Sequence, residues 1–168
     1  LHDGMYCMPL AFAFPEDDFA RRVEDEVMIG ESLLIAPVYE QNARGRYVYL
    51  PEEMLQVRVK CSESNRMETS VLPAGHHYIP VELDEVVFFV RKGHLLPLAK
   101  DGKKIQSVAD VDFADLRLLA YAPDGASYEY YTDDGETKDY DKPEHFVQIT
   151  LDADGNAKSD RATVKVEG

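Results

Sequence analysis

The sequence predicts an all-β fold: two tandem antiparallel β-sandwiches, with one short helix near the N-terminus. Three observations carry this. Apolar residues recur mainly at alternate positions, in runs of strand length. Gly, Pro, Asp and Asn punctuate the runs at close intervals. Few windows carry helical spacing, and the best of them is short. The 168 residues suffice for one ordinary domain or two small ones, with a real core.

From the N-terminus, PLAFAFP alternates loosely and reads as a strand ended by Pro15. The stretch from Asp17 to Gly30 is the helix candidate. Asp17 or Asp18 is placed to cap it, Gly30 to end it, and Phe19, Val23 and Val27 to form one apolar stripe. SLLIAPVYE is continuously apolar, as expected of a strand buried on both faces. In RYVYLP, Tyr47 and Tyr49 share one face, and Val48 and Leu50 the other. MLQVRVKC reads as half-buried, with Leu55, Val57 and Val59 inward and Gln56, Arg58 and Lys60 outward. HHYIPVEL, VVFFVRKG and HLLPLAK complete the first set.

Lys100 to Leu116 opens polar and lysine-rich and contains Gly102, so it is the best linker. Strand-like runs then resume to the end of the sequence. The expected division is residues 1–98 for the first sandwich and 99–168 for the second, the latter open to truncation. Leu1-His2-Asp3-Gly4 has neither an initiating Met nor a signal pattern, as expected of a piece of a longer chain.

The net charge of −14 repels phosphate backbones and anionic bilayers, so nucleic-acid and membrane partners are not expected. No apolar run approaches the roughly 18 residues that span a bilayer. Cys7 and Cys61 fit no metal or redox spacing and read as reduced thiols, consistent with a cytoplasmic location. A neutral ligand, a protein partner and self-association stay open.

YYTDDGETKDY, Tyr130 to Tyr140, concentrates acidic residues and tyrosines. Tyr128, Tyr130 and Thr132 alternate with Glu129, Tyr131 and Asp133, and Asp134-Gly135 suits a hairpin turn. Thr137, Asp139 and Asp141 would alternate on the return arm. A calcium loop fails on spacing here and at Asp152 to Asn156, because each glycine comes too early. A glycosidase pair needs carboxyl groups about 5–5.5 Å or roughly 6.5–9.5 Å apart across one bond. Asp133 and Asp134 sit at an exposed tip and, as strand neighbours, point to opposite faces. Tyr128, Tyr130 and Tyr131 are candidate sugar contacts, because pyranose C–H faces stack on rings; cross-strand pairing is the simpler role. His76 and His77 are expected to point oppositely, with no further metal ligands converging. No serine lies in a nucleophile elbow and no phosphate-binding glycine loop occurs. No catalytic, cofactor or metal residue is therefore assigned.

Five stretches in order, PLAFAFPED, FARRVEDEVMIGESLLIAPVYE, RGRYVYLPEE, VVFFVRKGHLLPLA and YYTDDGET, resemble the C-terminal part of glycoside hydrolase family 31. Bacterial α-glucosidases of that family are especially similar. Met8 stands where the family commonly has arginine, and no tryptophan follows YLP. The resemblance implies immunoglobulin-like proximal and distal C-terminal sandwiches. It also implies a retaining parent enzyme that hydrolyses α-glucosides through two aspartates of a (β/α) barrel in the same parent chain. None of those catalytic motifs occurs in these residues. The barrel is the implied partner, steadied by the proximal sandwich, with PLAFAFP and SLLIAPV lining the contact. Leu1 to Gly4 would end the barrel's last helix. A carbohydrate-binding or protein-interaction module is the alternative.

Overall fold

In the computed structural model, which describes residues 5–63, 66–100, 105–112, 115–131, 136, 138 and 142–159, strands dominate and no helix reaches two turns. The chain forms two compact units, one ending at Lys92 and the next beginning at Gly93.

The first unit contains β1 (Cys7–Pro9), helix α1 (Leu10–Ala13), β2 (Val27–Ile29), β3 (Leu33–Ile35), β4 (Gly45–Leu50), β5 (Met54–Lys60), β6 (Arg66–Leu72), β7 (Gly75–Pro80) and β8 (Glu85–Arg91). Six of these strands form an antiparallel sheet in the order β1-β2-β3-β8-β5-β6. β4 and β7 form a separate antiparallel pair. Met28, Leu34, Met54 and Phe89 from the large sheet pack with Val48, Leu50 and Ile79 from the small one, all buried, and with Leu10 and Ala20. Two sheets sharing one core make a β-sandwich.

The short helix near the N-terminus is present, but it is Leu10–Ala13 rather than part of Asp17 to Gly30. The expected PLAFAFP strand stops at Pro9, and one helical turn follows that buries Leu10 and leaves Phe12 exposed. Between Asp17 and Gly30 the helical part is a 3-10 turn, Ala20–Arg22. The cap expectation holds for Asp17, whose Oδ1 accepts the N–H groups of Phe19 (2.8 Å) and Ala20 (3.0 Å). Val23 is then extended, and Val27–Ile29 pairs with Leu33–Ile35. A sheet position for β-branched Val27 and Ile29 outweighs the helical spacing, a tertiary override of a weak local preference.

β4 follows its sequence pattern, with Val48 and Leu50 buried and Tyr47 outward. β5 does not follow its own. Met54, Gln56 and Val57 are all buried, so Gln56, expected outward, lies inside. β5 is flanked by β6 and β8 and buries residues on both faces. Gln56 Oε1 there accepts from Arg58 Nε and Ser70 Oγ, each at 3.2 Å.

The second unit contains β9 (His94–Ala99), β10 (Leu116–Tyr121), β11 (Ala126–Tyr131), β12 (Phe146–Leu151) and β13 (Ala157–Ser159). β9 pairs with β10, so the lysine-rich segment expected as a linker connects two paired strands. β11, β12 and β13 form a three-stranded antiparallel sheet in chain order. Leu95, Val147 and Ile149 are buried. Residues 101–104, part of the linker segment, lie outside the described residues.

Candidate functional site

The acidic tip, Thr132 to Gly135, and most of its expected return arm lie outside the described residues. The tyrosine arm is described, and its partner differs from the tight-hairpin expectation. Tyr131 pairs with Phe146, Tyr130 with Val147 and Tyr128 with Ile149. Directly opposed residues share a face. Tyr128 and Tyr130 therefore lie on the face of buried Val147 and Ile149. Tyr131 lies on the other face, its ring 5.5 Å from Phe146 and 5.6 Å from His145. The candidate sugar contacts are thus divided between two faces.

Asp152 to Asn156 is a turn. Asp152 Oδ1 accepts the N–H groups of Asp154 (3.0 Å) and Asn156 (2.8 Å). The Asn156 N–H, first among these contacts, holds the carboxyl below the usual range. Among the described residues, no group of three or more His, Cys, Asp or Glu is placed to hold a metal ion. No helix among them is long and apolar enough to cross a membrane.

The free side of β4 is held by side chains. Glu26, 6% exposed, accepts the Tyr49 N–H at 2.7 Å through Oε1, while its buried Oε2 has no hydrogen-bond partner among the described residues. Burial pushes its carboxyl up to about 7, against the opposing pull of that N–H and of Arg46, with Asp25 adding to the rise. Arg46 donates to the carbonyls of Tyr47 (3.0 Å), Asp25 (3.1 Å) and Pro37 (2.8 Å), and pairs with the Asp25 carboxylate at 2.5 Å. Together they occupy edge groups that a further strand would otherwise take.

A cavity of ≈ 1070 Å³ in this unit has Val48, Ile79 and Phe89 in its lining, and among its polar residues Arg58 and Glu85. Arg58 Nη1 contacts Glu85 Oε2 at 2.8 Å and donates to the Pro80 carbonyl at 2.9 Å. The Arg58 and Glu85 charges thus offset each other. Exposed apolar side chains occur on both segments expected to face a partner, Phe12 on the first and Val38 on the second, and Tyr39 follows directly after the second.

Likeness to known proteins identifies the family. The family model "Glycosyl hydrolase family 31 C-terminal domain" matches residues 4–96. The chain belongs to this family. The matched span takes in β1 to β8 and ends within β9. Alpha-glucosidase 2 of Bacillus thermoamyloliquefaciens is 26% identical over 95% of this chain and 19% of its own length. The alpha-xylosidase of Saccharolobus solfataricus is 31% identical over 87% of this chain and again 19% of its own length. Among solved structures, a family 31 alpha-xylosidase from Xanthomonas citri superposes with a TM-score of 0.66 at 26% identity, covering 89% of this chain and 15% of that one. This chain thus spans less than a fifth of the length of each of these proteins. Sequence reasoning reached the family through its motifs but missed the Glu26–Arg46 edge. The one available signal was a run of three acidic residues, Glu24 to Glu26, before an apolar strand.

Proposed function

We infer that this chain is the non-catalytic C-terminal sandwich region of a retaining α-glucosidase-type hydrolase, and that it steadies the catalytic barrel of the same parent polypeptide. One observation carries the reading: a family 31 C-terminal match over residues 4–96, in a chain spanning only 19% of its glycosidase relatives. Phe12, Val38 and Tyr39 support a contact through the α1 turn and the segment after β3, since exposed apolar side chains there gain from being covered. An α-glucoside is favoured as the parent's substrate by the match to alpha-glucosidase 2, which covers 95% of this chain. Cys7 and Cys61 are both free, which suits a reducing cytoplasm.

The test compares the parent protein, the parent lacking this region, and this chain alone. The parent hydrolyses an aryl α-glucoside faster than an aryl α-xyloside, the truncated parent loses thermal stability, and the isolated chain turns over neither. Turnover by the isolated chain sinks the reading. So does a truncated parent as stable and active as the whole.

A further inference from the structure

The outward face of the β4–β7 pair has a composition that core packing does not require. Gly45, Tyr47 and Tyr49 stand directly opposite Pro80, Tyr78 and His76. Opposed residues share a face and alternate residues return to it, so these six make up one surface. It holds no Asp, Glu, Lys or Arg, on a chain with a net charge of −14. The rings are set against each other. Tyr47 and Tyr78 meet edge to face at 5.3 Å, and Tyr49 and His76 are tilted at 4.8 Å. Phe19 joins from the 3-10 turn, 5.6 Å from Tyr49 and 5.4 Å from His76. Tyr47, Phe19 and Tyr78 are nevertheless 72%, 58% and 54% exposed.

Two contacts hold this surface in place. Tyr49 Oη donates to Asp17 Oδ2 at 2.7 Å, and the same carboxylate takes the N–H groups that fix Phe19. Gly45, at φ +149°, leaves the Tyr78 hydroxyl room to lie close; a Cβ there would sit 3.0 Å from that oxygen.

We propose that this face binds a neutral oligosaccharide of α-linked glucose units, with Tyr47 and Tyr78 stacking on pyranose rings. Rigid rings with polar ends give large contact area at small entropic cost, and their faces accept the C–H side of a sugar. Charge suits the same ligand: an uncharged sugar meets no repulsion from an acidic protein, and the six strand residues of the face include no Asp, Glu, Lys or Arg, with the Asp17 carboxylate beside them on Tyr49. The choice of glucose units rests on the glycosidase reading above; the existence of the binding face does not.

The test is titration of the 168-residue chain with maltotriose and isomaltotriose, followed by NMR, with an oligogalacturonide as the anionic control. Saturable shifts centred on Tyr47, Tyr49, His76 and Tyr78 are expected with both neutral sugars and not with the control. The Tyr47→Ala/Tyr78→Ala double variant should lose affinity by about tenfold or more. Tyr131→Ala should leave affinity unchanged. The shift map on the wild-type chain keeps the test valid should the double variant misfold. Absence of saturation, shifts centred on Tyr131 and Phe146, equal binding of the anionic control, or ring shifts that follow protein concentration instead of sugar would each overturn the proposal. A failed titration leaves the accessory-region reading intact. An active isolated chain ends that reading whatever the titration shows.

Discussion

On β4–β7, Tyr47 and Tyr78 lie opposite each other and stand 72% and 54% exposed; on β11–β12, Tyr128 and Tyr130 lie opposite Ile149 and Val147, which are 2% and 5% exposed. Both strand pairs derive from alternating tyrosine runs. What separates them is the opposite strand. A tyrosine placed across from a buried aliphatic residue shares its face and takes part in packing. One placed across from another aromatic residue, with Val48 and Leu50 filling the core from the reverse side, is left for solvent. Tyrosine count along a strand therefore says little about binding until the register is known.

The largest effect should come from breaking the packed side. Ile149→Ala removes a buried side chain and should cost ~2–5 kcal/mol in urea unfolding. A cost below about 1 kcal/mol would show that the Tyr128–Tyr130 face is not packed and would erase the contrast.

The edges of the two strand pairs also differ. β12 lies between β11 and β13, whereas β4 has one strand partner among the described residues and has Glu26 and Arg46 at its other side. Glu26 titrates at about 7 in the fold, against 4.5 for an ordinary glutamate. The folded state therefore holds a proton that the unfolded state releases. This contribution is fully present below pH 4.5 and is lost as pH rises through about 7. At ~1.4 kcal/mol per unit, the loss amounts to ~3 kcal/mol. Glu26→Gln keeps an oxygen for the Tyr49 N–H and carries no charge. Denaturation at pH 5 and pH 8 should show the wild type losing stability relative to Glu26→Gln. Parallel pH profiles for the two proteins would show that Glu26 is not buried as an acid.

How much of this was legible in the sequence depends on how local the cause was. The alternation of Tyr47 and Tyr49 with Val48 and Leu50 is a property of one strand and was readable. So were the opposite directions of His76 and His77: His76 meets Tyr49, while His77 pairs with Val48. The family was legible because its motifs are local strings in order. Gln56 was misplaced because alternation cannot show that a central strand is buried on both faces. The Asp17 to Gly30 segment was misplaced because the large sheet takes Val27–Ile29 as a strand between β1 and β3. The aromatic face was invisible because β4 pairs with β7 and skips β5 and β6, a choice made by the core and not by a hairpin turn.

A smaller effect is expected at Gly45. A Cβ there would lie 2.4 Å from the Ile79 carbonyl oxygen, at a φ of +149° that side chains rarely adopt. Gly45→Ala should cost ~1–3 kcal/mol by thermal or urea unfolding. It should also shift the Tyr78 ring resonances, since the hydroxyl borders the same space. Nothing equivalent follows from substituting Gly75, where a Cβ meets no atom within 4 Å, so strain at φ +123° acts there without a clash. Similar costs at both positions would mean that backbone strain alone, and not contact with β7, sets the requirement at Gly45.

The smallest effect tests the exposed side most directly. Tyr47 is 72% exposed, and its ring contact among the described residues is the edge-to-face pair with Tyr78. Such pairs are worth ~0.5–1.5 kcal/mol beyond area burial, and less where solvent reaches both rings. Tyr47→Ala should therefore cost no more than about 1 kcal/mol in urea unfolding, with an unchanged m-value. Tyr130→Ala, made on the face of Val147 and Ile149, should cost more than Tyr47→Ala. If Tyr47→Ala proves the more costly of the two, the β4–β7 rings are held for folding, and their exposure gives no reason to look for a ligand.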